Sequence, residues 1–167
     1  DRINPEYFRY VDRKIDYLNA EGFVPFIEAS RRDASECWKK YYSWPESYAR
    51  FIQYVWSRYQ ANNAVLSPVH LDIIQQSLTV PDFLQAIDLV LTKHGPPPFG
   101  TLLSANANPS TLVNWGEDSW VTLHQTGNKR EHEYYWYMTE IFRAPNPRPG
   151  LNGEPYYSGY VDVRGLG

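Results

Sequence analysis

At 167 residues the chain has the length of one domain with material to bury a core, and 43% hydrophobic against 21% charged residues excludes a disordered segment. A net charge of −3, with Lys39-Lys40 as the longest basic cluster, leaves no footprint for nucleic acid. The single cysteine, Cys37, excludes an internal disulfide framework and a cysteine-rich metal site, and no apolar run reaches the roughly 18 residues needed to cross a membrane.

Asn4-Pro5 predicts a helix start, with Asn as cap and Pro at the first helical position; Phe8, Val11, Ile15 and Leu18 follow at helical spacing, and Gly22 closes it. The apolar run 23–28 reads as a buried strand ending in Glu28, with Ser30, Arg31, Arg32 and Asp33 just beyond. A second helix is expected to open between Ser43 and Glu46 and to run to Tyr59, broken by Asn62-Asn63. The next strand, 64–69, leads into His70-Leu71-Asp72, although Pro68 cannot donate to a ladder. Val80-Pro81-Asp82 starts a third helix through His94, and Pro96-Pro97-Pro98 ends it. A short strand at 101–105 precedes a polar loop holding Asn106, Asn108, Asn114 and Trp115. Residues 120–124 predict a fourth strand ending at His124 and Gln125, residues 131–143 a helix, and the prolines 145–149 deliver a last strand that stops at Glu154-Pro155.

Alternating strands and helices specify a parallel sheet with right-handed crossovers, in one domain over residues 1–167. The polar residues gather after each strand: Glu28 to Asp33, His70 and Asp72, Asn106 and Asn108, His124 to Asn128, Glu154 to Tyr157. In a parallel α/β sheet those loops share one face, the catalytic face of a TIM barrel. Glu154 stands at a strand exit walled by Tyr156 and Tyr157; as an isolated motif it reads equally well as a surface glutamate in a Gly/Pro/Tyr loop. The aromatic excess, 14 Tyr and 6 Trp, suits either stacking on sugar rings or a large aromatic core, with Trp120 the clearest core candidate. No histidine pair has metal spacing, so neither a metal nor a cofactor is expected.

The segment Ser119-Trp120-Val121-Thr122-Leu123-His124-Gln125-Thr126-Gly127, an aromatic helix, and then Leu151-Asn152-Gly153-Glu154-Pro155-Tyr156-Tyr157 resembles the apiosidase-like glycoside hydrolases. The resemblance is strongest over residues 119–159. It implies a (β/α)8 TIM barrel, present here as a partial barrel of about five parallel strands from strand three to strand seven. It also implies a carbohydrate substrate and a secreted or periplasmic setting. Asn128 stands where the family has a histidine, and Asn106-Ala107-Asn108-Pro109 where it has His-Pro. The missing strands lead us to expect either a piece of a longer protein or completion through self-association or a second chain.

On that template the nucleophile falls on Glu154 and the acid/base on Asp72, with Glu28 or His70 as substitutes. Retaining hydrolysis of a plant or algal polysaccharide needs two such carboxyl groups roughly 5–5.5 Å apart. Tyr156, His124 or Arg31 would keep Glu154 ionised, and Glu28 could instead form a salt bridge to Arg31 or Arg32. Gln125, Asn106, Asn108 and Asn128 suit sugar hydroxyls, and Trp115, Tyr156 and Tyr157 suit sugar faces. The alternative is a non-catalytic carbohydrate-binding or scaffolding fragment that has kept the fold.

Overall fold

A computed structural model describes residues 2–71, 78–117, 119–127 and 135–154. Helix α1 (Pro5–Ala20) starts where the sequence demands: the Asn4 side chain accepts from the backbone N–H of Glu6 and Tyr7, and Pro5 occupies the first turn. The short strand β1 (Phe26–Glu28) follows, then α2 (Arg32–Tyr41) and α3 (Glu46–Tyr59). Helix α2 is absent from the sequence reading. It buries Arg32 and Ser35 rather than an apolar stripe, so hydrophobic periodicity carries no trace of it.

The predicted strand at 64–69 is real but broken into β2 (Val65–Ser67) and β3 (His70–Leu71). Pro68 sits at the break, and the orphaned backbone finds side-chain partners: the Ser67 hydroxyl donates to Val69 O at 2.9 Å, and the Tyr48 hydroxyl donates to Pro68 O at 2.6 Å. Helix α4 (Val80–His94) begins as predicted, with Thr79 and Asp82 forming a reciprocal capping box. The next strand is also split, into β4 (Leu102–Leu103) and β5 (Asn106–Ala107), and the polar loop after it contains α5 (Thr111–Trp115), capped by Ser110. The fourth predicted strand moves towards the C-terminus. β6 covers His124–Thr126, because Thr122 uses its side chain and backbone on Leu103 instead of a ladder: Leu103 N–H donates to Thr122 Oγ1 at 2.7 Å, and Thr122 N–H donates to Leu103 O at 2.8 Å. Helix α6 (Tyr135–Arg143) and β7 (Gly150–Asn152) complete the order; the expected start of that helix at 131–134 lies outside the described residues.

All strand pairings are parallel. β1, β2 and β4 form one sheet, β3 and β5 a second, β6 and β7 a third. The first two are continuous across the breaks, since His70 N–H donates to Ser30 O at 2.8 Å and Ser104 N–H donates to Leu66 O at 3.0 Å. The result is an α/β arc of five parallel segments in chain order, a partial TIM-barrel-like fold that does not close among the described residues. α3 supplies most of the core, burying Tyr48, Ile52, Val55, Trp56 and Tyr59 against Leu66, Val69, Phe83, Ile87 and Val90. α1 is tied to α3 by a forked contact of the Arg58 guanidinium on Asp12, which also accepts the Tyr59 hydroxyl at 3.1 Å. Every strand C-terminus therefore points to one rim.

Candidate active site

The rim collects one chemical side chain from each strand exit. Glu28 ends β1, His70 opens β3, Asn106 opens β5, Gln125 is central in β6, and Glu154 lies two residues past β7. His70 and Asn106 are register partners in their sheet, so the β3 and β5 exits stand side by side.

Glu154 is half-buried, and its Oε2 accepts a hydrogen bond from Asn106 Nδ2 at 3.1 Å. Two of the three expected donors, His124 and Arg31, are engaged elsewhere, and the third, Tyr156, lies outside the described residues. His124 is 1% exposed and turned the other way: its Nδ1 lies 3.0 Å from the Thr111 hydroxyl, and burial, with a smaller contribution from Arg148, lowers its pKa and holds it neutral. Its ring does not reach the surface as a sugar contact would. Arg31 is exposed and faces Asp33 at 3.6 Å. The partner observed for Glu28 is His70: its Oε2 lies 2.6 Å from His70 Nδ1, with both side chains mostly buried. A carboxylate on one imidazole nitrogen fixes the ring's tautomer and orientation.

Gln125 is 2% exposed and donates through Nε2 to Ala105 O, so it braces the rim from beneath rather than facing solvent. Two glycines admit this packing. A Cβ on Gly153 would lie 2.5 Å from Gln125 Oε1, and one on Gly127 would lie 3.0 Å from Asn106 Oδ1. Trp115 and Trp120 meet edge to face at 5.4 Å and pack on the core, so Trp115 is not an open stacking platform. Asp72, Asn128, Tyr156 and Tyr157 lie outside the described residues. Among the described residues no cluster of three His, Cys, Asp or Glu side chains could hold a metal ion, and no helix is long and apolar enough to cross a membrane.

Sequence reasoning missed the two pairings that organise the rim, Asn106 with Glu154 and Glu28 with His70. It also missed Thr111, whose hydroxyl serves both His124 and the backbone N–H of Gln125 at 2.9 Å. The signal for Thr111 was present as Pro109-Ser110, a helix-start signature inside what read as loop.

Two carboxylates at the exits of parallel strands, one steadied by an amide and one by an imidazole, form a constellation suited to acid/base work on a bound ligand. No curated protein matches the chain. A family model described as apiosidase-like, catalytic domain, matches residues 1–165. The motifs around Gln125 and Glu154, the parallel arc and a match over nearly every residue agree, and the chain belongs to the apiosidase-like catalytic domain family.

Proposed function

We propose that the chain hydrolyses glycosidic bonds in a plant or algal polysaccharide by a retaining, two-carboxylate mechanism, as the strand-three to strand-seven part of a (β/α)8 barrel. Family membership supports glycoside hydrolase activity in general and implies a carbohydrate substrate. The observation that carries the finer reading is Glu154: a half-buried carboxylate just past a parallel strand, held by a neutral donor from the start of β5.

In this reading Glu154 attacks the anomeric carbon while Asp72 protonates the leaving oxygen, so the glycosidic bond breaks as a glycosyl ester forms. Asp72 then takes a proton from water, whose oxygen displaces Glu154 and releases the sugar with its original anomeric configuration. The Glu28–His70 pair stands at the start of β3, whose last residue, Leu71, immediately precedes Asp72 in the sequence. Asn128, Tyr156 and Tyr157 contribute sugar contacts. Residues 1–167 act as one incomplete barrel domain. Its completion by further strands, from this polypeptide or a second chain, is supported by exposed Phe23 and Val24 before β1 and Leu151 on β7.

The test uses a panel of 4-nitrophenyl glycosides and oligosaccharides. Proton NMR of the first-formed product reports the anomer, and retention is expected. Glu154→Gln should abolish turnover and keep sugar binding. A first product of inverted configuration would sink the retaining mechanism, and an active Glu154→Gln variant would remove Glu154 from it. Sugar binding by a wild type that cleaves nothing on the panel would support the non-catalytic alternative.

A further inference from the structure

We infer that Asn106 is a positioning residue for Glu154, locked in a single amide orientation by packing against Gly127, so that the carboxylate is presented in one rotamer by a donor that never titrates. The inference rests on the reading of Glu154 as nucleophile and specifies what sets its geometry. Asn106 is 9% exposed at the start of β5, and its Nδ2 donates to Glu154 Oε2 at 3.1 Å. Its other amide atom, Oδ1, is fully buried and has no hydrogen-bond partner among the described residues. A buried acceptor without a partner is unfavourable, and water or a sugar hydroxyl cannot reach an atom with no accessible surface. Turning the amide over would not relieve this, because it would set a carbonyl oxygen against the carboxylate. The orientation is therefore dictated by Glu154, and Asn106 serves that group rather than a substrate.

The surroundings enforce the arrangement. The Oδ1 atom would sit 3.0 Å from a Cβ at residue 127, so any side chain there would push the amide by a few tenths of an ångström, and glycine leaves it its place. One strand further on, Gly153 lies against Gln125, which is itself fixed to Ala105 O, and this sets the backbone from which Glu154 projects. Two glycines and two amides thus interlock β5, β6 and β7 beneath one carboxylate. Asn106, whose amide bonds Glu154, and Gln125, which packs under Gly153, carry no charge. The ionisable groups at the other exits are engaged elsewhere: His124 with Thr111, Glu28 with His70, and Arg31 with Asp33.

The test is covalent trapping of the protein by a 2-deoxy-2-fluoro-glycosyl fluoride matched to its fastest 4-nitrophenyl glycoside, with peptide mass spectrometry locating the label. Wild type should be labelled at Glu154. Asn106→Ala should be labelled at the same residue but slower by roughly 10- to 150-fold, the worth of one hydrogen bond to a charged group, with kcat falling and KM little changed. Asn106→Asp should also move the acidic limb of kcat/KM upwards, since two carboxylates sharing one site cannot both ionise freely. Gly127→Ala, which keeps the amide but crowds it, should slow labelling as well and serves if the Asn106 variants do not fold. Labelling of wild type elsewhere overturns the role of Glu154. Labelling at Glu154 with an unchanged rate and pH profile in the folded variants overturns the role of Asn106, and a lowered melting temperature without those changes shows Asn106 to be structural only.

Discussion

Replacing Gly153 by Ala tests the packing beneath the rim directly. The added methyl would sit 2.5 Å from Gln125 Oε1 and 3.1 Å from its amide carbon, nearer than real Cβ contacts allow. Gln125 cannot simply swing aside: it is 2% exposed, and its Nε2 is committed to Ala105 O. Either that hydrogen bond breaks inside the protein or the backbone after β7 shifts, and overpacking of this kind costs about 1–3 kcal/mol. Urea unfolding of Gly153→Ala should show that loss, and glycosidase activity should fall with it because Glu154 is the next residue. Gln125→Ala opens the space the methyl needs. The double variant should therefore be more stable than the two single losses add up to, by about 1 kcal/mol or more in a double-mutant cycle. If Gly153→Ala is as stable as wild type, or the two losses simply add, the close approach of Gly153 to Gln125 does not hold up the rim.

Tyr48→Phe removes a fully buried hydroxyl that donates to Pro68 O at 2.6 Å; leaving that carbonyl unpaired should cost about 1–3 kcal/mol in urea unfolding. His124 is held neutral by burial, so its folded pKa lies below its unfolded value near 6.5. Its contribution to stability is thus present above pH ~6.5 and is lost as pH falls through the depressed folded value, at no more than about 1.4 kcal/mol per pH unit. Melting temperatures measured from pH 8 to pH 5 should decline on the acid side, and His124→Gln should flatten that decline. His70→Gln keeps a polar side chain beside Glu28 but removes the imidazole that holds it, so kcat should fall while substrate binding survives; an unchanged kcat would detach the Glu28–His70 pair from the chemistry.

What could be read from the residues follows the range over which each interaction acts. The caps at Asn4-Pro5 and at Thr79 with Asp82 are contacts within a few residues, and the helices begin where they stand. Strand existence was legible as apolar runs, but strand extent was not. Pro68 splits one run by removing a donor, and Thr122 diverts its neighbours by bonding Leu103 through its side chain. Helix α2 escaped because its buried face is Arg32 and Ser35, and α5 because five residues do not establish a period. At the rim, the polar residue types at the strand exits could be named from the sequence, whereas their partners could not. Glu154 and Asn106 are 48 residues apart and Glu28 and His70 are 42 apart, and nothing local distinguishes those pairs from the salt bridges expected with Arg31 or Arg32.

Glu154 and Glu28 differ in what holds them, and the proposed retaining mechanism asks different things of the two sides of the arc. A nucleophile has to remain an anion of fixed geometry throughout the cycle. An amide partner suits it, because an amide donates a hydrogen bond at every pH and never competes for the proton. The proposed acid/base side has to give up and retake a proton, and an imidazole there can either donate or accept a hydrogen bond as its carboxylate neighbour requires. Glu154 has the amide of Asn106; Glu28 has the imidazole of His70, on the strand that leads to Asp72. Had the pairings been reversed, with imidazole on the β7 side and amide on the β1 side, the same residue types would have argued against the mechanism. Family membership ties the chain to glycoside hydrolysis in general; the two different pairings are what the proposed assignment of Glu154 and the Asp72 side adds to it.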